Sequence, residues 1–167
     1  NDDAWGRFSN GRIHMVEVLH ELLGQNVIPG VLDAGHNFDF FDDDSFKQVG
    51  RVEKGALALG QNRYKVVILP AVERMPLDTL QKLEEFARSG GVLIATGRTP
   101  LEVPGFSSTQ ADHQKIAELS RRIFEGQSAV GLLVADDSSQ LKGKLTSLLR
   151  PDVLLSPAVP EIGFYHR

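Results

Sequence analysis

The chain contains no cysteine among its 167 residues. That removes disulfides, thiolate metal sites and a cysteine nucleophile, and it leaves the redox compartment open. Long apolar runs are missing too. VVIL (66–69) and VLIA (92–95) are strand-sized, far short of the roughly 20 residues a membrane helix needs, so no membrane partner is expected. Basic runs are absent, and 18 Lys and Arg against 22 Asp and Glu leave a net charge of −4. A nucleic-acid partner that is held by its phosphates is therefore not expected. No G-x-G-x-x-G occurs. GALALGQN (55–62) has two glycines at Walker spacing but Gln61 and Asn62 where Lys and Ser or Thr are required, so no nucleotide cofactor is implied. There is no internal repeat and no low-complexity segment.

The composition that remains, 41% hydrophobic and 24% charged, is that of a globular chain. The length suits one hydrophobic core rather than two, so a single domain spanning 1–167 is expected. The chain opens on Asn1 without Met or an apolar signal segment and closes on the strand-like GFYHR. Both ends predict a piece excised from a larger multidomain protein.

Ser9 or Asn10 can cap a helix with Ile13, Val16, Leu19, Leu22 and Leu23 on one stripe. VIPGVLDA (27–34) reads as a strand interrupted at Pro29-Gly30. HNFDFFDDDSF reads as a surface loop or short helix. YKVVILP (64–70) is a continuous apolar strand, followed by an amphipathic helix entered through Pro76, carrying Leu77, Leu80, Leu83, Phe86 and Ala87, and closed by Gly90-Gly91. VLIATG then gives a second buried strand, and two such strands joined by a helix make a parallel βαβ unit. A helix over about 112–124, a strand at GLLVADD, a last helix in SSQLKGKLTSLLR and extended chain after Pro151 complete the alternation. The expected fold is α/β: a three-layer sandwich of flavodoxin or glutamine-amidotransferase type, with a mostly parallel sheet and helices on both faces.

In such folds a nucleophile occupies a tight elbow after a central strand. The two elbows here, LPAVE and ATGRT, hold no Cys and do not match G-x-S-x-G. Thr96 and Thr99 are the available hydroxyls, and no histidine is spaced persuasively as their base; the expectation is that no residue of the chain is catalytic. Gly97, Arg98 and Thr99 follow the second strand where a ligand can bind, through backbone N–H groups and a guanidinium. The alternative is that Gly97 makes the turn and Arg98 pairs with a carboxylate. Asp33, Asp39, Asp42, Asp43 and Asp44 lack the spacing of a calcium loop, so no metal is expected and a helix cap at Asp44 or Ser45 is the simpler role. Phe38, Asp39, Phe40 and Phe41, with Phe46, interleave aromatic and acidic residues as interdomain contacts do. His14, Glu17 and Glu21 share one helical face, which reads as an exposed polar stripe. Glu84-Glu85 reads as solvent-facing.

Taken together, the helix bearing Gly11, His14, Val16, Glu17, Val18 and Leu19, then VLDAGHNFDFFDDD, then YKVVILPAVERMPLDTLQKLEEFARSGGVLIATGRTPLEVPG resemble the α/β domain of bacterial α-L-rhamnosidase-like glycoside hydrolases of family 106. The closing Ile162, Phe164, His166 and Arg167 resemble that family's lead into its next β-rich part. The strand-helix-strand portion is shared with flavodoxin-like domains of β-galactosidases, including the family 42 trimerisation domain; AGHNFDFFDDD and GRTPLEVPG are what sharpen the likeness. The resemblance covers about residues 11–105 and the last few. It implies a non-catalytic accessory or assembly domain of an exported, secreted or periplasmic enzyme acting on rhamnose-containing glycans, with catalytic carboxylates on a separate barrel. Its implied partners are the other domains of the parent and a homo-oligomer; no cofactor is implied. Two alternatives stand beside it: a divergent amidotransferase-like hydrolase pairing Thr99 with His36 or His113, and a small-ligand or carbohydrate-binding module using Arg98 and the acidic-aromatic loop.

Overall fold

The computed structural model describes residues 23–153. In chain order its elements are α1 (Val27–Asp33), α2 (Asp43–Val49), β1 (Gly50–Glu53), β2 (Ala56–Leu59), β3 (Asn62–Tyr64), β4 (Val66–Pro70), α3 (Leu77–Arg88), β5 (Val92–Thr96), α4 (Gln110–Phe124), β6 (Gly131–Val134) and α5 (Ser138–Leu148). Their contacts divide into two units, residues 38–135 and, within the described residues, 23–37 with 136–153. The helix expected over Ser9 to Gly24 and the extended chain beyond Val153 lie outside the described residues.

In the first and last segments, VIPGVLD forms helix α1 rather than the expected strand. Pro29 falls in the first helical turn, where its missing N–H has no intrahelical acceptor to lose. Gly30 is needed for packing rather than for a turn: a Cβ there would come within 3.0 Å of the Ser138 carbonyl oxygen and 3.1 Å of the Leu141 side chain. The same Pro-Gly pair that suggests a break thus lets α1 pack closely on α5, burying Val27, Val31, Leu141 and Leu145.

In the larger unit, β4, β5 and β6 form a parallel sheet in that order, with Val67 opposite Leu93 and Leu93 opposite Gly131. The chain is an α/β protein, and the parallel βαβ unit is where periodicity placed it. α3 presents Leu80, Leu83 and Phe86 to one face of the sheet, and α4 adds Ile116, Leu119 and Ile123 to the same core as Val67, Leu69, Leu93 and Ala95. On β5 the alternate residues Ile94 and Thr96 are buried as well. Both faces of the central strand are therefore covered, which is why its sequence is continuously apolar rather than alternating.

Residues 50–64 fold into an antiparallel meander, β1-β2-β3, that the sequence reading did not anticipate. Its turns are the pairs Lys54-Gly55 and Gly60-Gln61, so the glycines of the Walker-spaced GALALGQN close two hairpins on either side of a four-residue strand. Strands this short leave little periodicity to read. Leu57 is buried with Phe46 in the main core. That also corrects the placement of Phe46, which is core on α2 rather than part of a surface loop, with Lys82 Nζ 4.7 Å over its ring.

Glu84, expected to face solvent, links α3 to α4 instead. Its carboxylate accepts from Arg122 Nε and Nη2 at 2.9 and 2.8 Å and from Arg88 Nη2 at 2.8 Å, and its side chain is only 12% exposed. The Arg122 hydrogen bond, opposed by desolvation and reinforced by Arg88, lowers the Glu84 pKa. A carboxylate depressed in the folded state stabilises above its unfolded pKa and loses that contribution as pH falls through the folded value. Glu84→Gln should therefore cost about 1–3 kcal/mol at neutral pH, and urea melts taken downward from pH 7 should show the gap to wild type closing in the acid range, below the usual glutamate value.

Candidate functional site

The carboxyl ends of β4, β5 and β6 are where an open parallel sheet binds ligands, and both candidate elbows lie there. Immediately after Pro70, Ala71 has φ +47, the one non-glycine residue at positive φ among those described. Such a conformation costs a residue with a Cβ about 1–2 kcal/mol. This is the kind of strained turn after a strand on which nucleophile elbows are built, and it carries a methyl group. The turn is held from both sides. Ala71 N donates to Thr96 O at 3.0 Å, and Arg98 Nε donates to Ala71 O at 2.7 Å.

Arg98 also places Nη1 2.9 Å from Glu73 Oε2. The second elbow is equally occupied: Gly97 N donates to Val134 O at 2.8 Å, and Arg98 N returns to Thr96 O at 2.8 Å across a tight turn at Gly97, φ +71. A positive φ at a three-residue turn is what glycine supplies at least cost. Arg98 is thus paired with a carboxylate and both backbone N–H groups are spent on carbonyls; an anion at Gly97–Thr99 would have to displace them. Thr99 is half-buried, while Thr96 is 1% exposed, with no partner for its hydroxyl among the described residues.

The loops beyond these turns are laced together. Leu101 N and Glu102 N both donate to Glu73 O, at 3.0 and 3.1 Å; Met75 N donates to Glu102 O at 3.0 Å; and Arg74 Nε meets Glu102 Oε2 at 2.9 Å. Met75, Pro100 and Val103 are buried beneath. Segments 71–76 and 97–103 close over the sheet edge as a short parallel bridge.

A serine and a histidine that sequence spacing did not bring together do meet nearby. Ser108 Oγ lies 3.2 Å from His113 Nε2, while His113 Nδ1 accepts from Val103 N at 3.4 Å. Ser108 donates its own proton to Gly105 O at 2.8 Å. The polarity is wrong for catalysis. With Nδ1 an acceptor, the neutral ring carries its hydrogen on Nε2 and donates to the serine, where a general base would have to accept from it. The signal was five residues of separation across a helix start, since Thr109 caps α4 with a reciprocal Asp112 capping box. His36 belongs to the other unit, with Nδ1 3.7 Å from Asp152 Oδ2.

The aromatic-acidic segment is anchored by alternate residues. Asp39 accepts from Tyr64 Oη at 2.5 Å, and burial together with that carboxylate raises the Tyr64 pKa. Phe41 turns inward, its ring 5.3 Å from that of Phe46. Phe38 and Phe40, 39% and 60% exposed, are left outside as an edge-to-face pair with centroids 5.3 Å apart. The cap of α2 is Asp42, accepting from Ser45 N at 2.7 Å, rather than Asp44 or Ser45. That backbone hydrogen bond lowers its pKa. Asp43 accepts from Thr79 Oγ1 at 2.8 Å. Among the described residues no three His, Asp or Glu side chains are grouped to hold a metal ion; His14, Glu17 and Glu21 lie outside them.

A family model described as alpha-L-rhamnosidase, glycoside hydrolase family 106, matches residues 20–167. The chain belongs to that alpha-L-rhamnosidase family. No curated protein and no solved structure matches it. Within this rhamnosidase-family chain, the described strand ends carry an alanine, a sealed threonine and paired arginines where a hydrolase of this topology would place its reacting groups.

Because Ala71 holds a left-handed conformation, Ala71→Gly should be neutral or stabilising by about 0.5–1 kcal/mol, although glycine ordinarily destabilises. Ala71→Val should lose more than 1 kcal/mol, because a β-branched residue tolerates positive φ least. Chemical denaturation of the two variants checks the pair.

Proposed function

We propose that this chain is a non-catalytic accessory domain of a multidomain family 106 glycosidase acting on rhamnose-containing glycans. The observation that carries the reading is the elbow at Ala71, strained like a catalytic turn yet fitted with a methyl group and braced by Arg98. A fold that hosts chemistry elsewhere here serves architecture. The flavodoxin-like or amidotransferase-like description of the sheet belongs to the same proposal, with the parallel β4-β5-β6 order in its support.

In this reading the contact with the parent is made by the segment Phe38–Phe41. Asp39 is tied to Tyr64 at the surface and Phe41 packs on Phe46, so Phe38 and Phe40 are presented as an exposed aromatic pair close in sequence to the carboxylates of Asp42 and Asp44. Preorganised aromatic anchors with a charged rim are what a domain interface uses. The partner face should offer an apolar recess with basic residues at its border. A catalytic barrel or a second copy of the chain can supply it, in an exported parent.

The chain alone should show no turnover of aryl α-L-rhamnosides, and saturable hydrolysis by it would overturn the proposal. Phe38→Ser with Phe40→Ser should leave the melting temperature within a degree or two, since both rings are solvated. The same pair should weaken association with the remainder of the parent more than tenfold in titration calorimetry.

A further inference from the structure

The two outer strands of the parallel sheet end it in different ways. Along a strand, successive residues send their N–H and C=O groups to opposite sides. Val92 N donates to Lys65 O and Ala71 N to Thr96 O, so Lys65, Val67, Leu69 and Ala71 face β5 and the outer side of β4 falls to Val66, Ile68 and Pro70. Pro70 has no N–H to offer there, and proline at such a position guards an edge against further pairing. On β6, Gly97 N donates to Val134 O, so Leu132 and Val134 face β5 and the outer side falls to Gly131 and Leu133. Nothing among the described residues pairs with that side. It carries no proline and no charge. Leu133 lies level with Ala95, on the face that α3 and α4 cover for the inner strands, yet it is 53% exposed.

We infer that β6 is an assembly edge, which pairs antiparallel with β6 of a second copy of the chain about a two-fold axis at Leu133. Leu133 has both backbone groups on the open side and an exposed side chain. Opposite its counterpart it exchanges two N–H···O=C bonds, and the two leucine side chains, on one face of the joined sheet with Cα atoms about 5.5 Å apart, cover each other. Two three-stranded sheets become one continuous sheet. A two-fold contact must be its own complement, and the residues around Leu133 meet that condition. The register sets Gly131 level with the second copy's Ala135, and Asp136 level with the second copy's Val130, so no carboxylate faces another. An uncharged edge selects no acidic or basic strand, whereas its own sequence satisfies it without a like-charge pair. The contact is small beside the roughly 1,000 Å² of a stable interface, so the dimer is reversible. This edge is separate in sequence from Phe38–Phe41, and its pairing does not depend on what the parent hydrolyses.

The test uses the whole chain. Sedimentation equilibrium should show a reversible monomer–dimer equilibrium, and the Leu133 amide should exchange more slowly as concentration rises. Leu133→Lys sets two ammonium groups against each other and should weaken dimerisation at least about tenfold, with the melting temperature unchanged because the side chain it replaces is exposed. The chain has no cysteine, so Leu133→Cys introduces a single thiol. A Cα separation of about 5.5 Å lies within disulfide reach, and mild oxidation should convert this variant to a covalent dimer, while Phe106→Cys, on an exposed loop, should stay monomeric. A chain that remains monomeric up to about 1 mM, a Leu133 amide protected equally at every concentration, a dimer indifferent to Leu133→Lys, or equal cross-linking of the two cysteine variants would each overturn the pairing.

Discussion

The left-handed turn at Ala71 is the constraint on which the carboxyl edge of the sheet depends. It redirects the chain out of β4 and points the Ala71 carbonyl at Arg98, whose second nitrogen reaches Glu73. From there segments 71–76 and 97–103 run side by side, bound through both main chain and side chains. A strained residue persists only where its surroundings over-determine it, and here the surroundings are a guanidinium and a backbone carbonyl from the neighbouring strand. The result is an edge at which the two loops are bound to each other and the Gly97 and Arg98 amides already have carbonyl acceptors.

Beneath that edge, packing and polar clamps reinforce each other. Leu80, Leu83 and Phe86 of α3 and Ile116 and Ile123 of α4 fill one face of the sheet, while Glu84 gathers Arg88 and Arg122 at the rim of the same interface. The apolar contacts supply the larger share of stabilisation; the clamp fixes how the two helices are aligned. α2 and the meander extend the core through Phe46 and Leu57, and Lys82 joins α2 to α3 by donating to Phe46 O at 3.0 Å. Phe38 and Phe40 are left exposed as an edge-to-face pair at the end of this extended core.

What sequence could show followed from periodicity. The apolar runs of β4 and β5 and the 3.6-residue stripe of α3 identify the parallel unit directly, because burial on both faces forces those patterns. The α1 helix was hidden because Pro29 and Gly30 signal a break, and only their position in the first turn and against α5 makes them helical. The meander was hidden because four-residue strands carry almost no pattern, and its glycines looked like those of a phosphate loop. Glu84 read as solvated, since its two arginine partners come from one turn and from 38 residues away. At the two strand-end turns, the lack of a cysteine and of a G-x-S-x-G pattern was legible from residue identity alone. The strain at Ala71, the occupation of Arg98 and the Ser108–His113 contact were not, because each depends on backbone geometry that no spacing rule encodes.

The Ala71 turn should hold the loops at the strand ends together in solution. Amide hydrogen exchange reads this at Ala71, whose N–H donates to the end of β5, and at Met75, Leu101 and Glu102, whose N–H groups each donate to the facing loop. The account predicts protection comparable to that of the Leu93 and Ile94 amides in β5. Exchange at those four sites near the rate of an unstructured peptide would contradict it, and would mean an open edge free to admit a ligand.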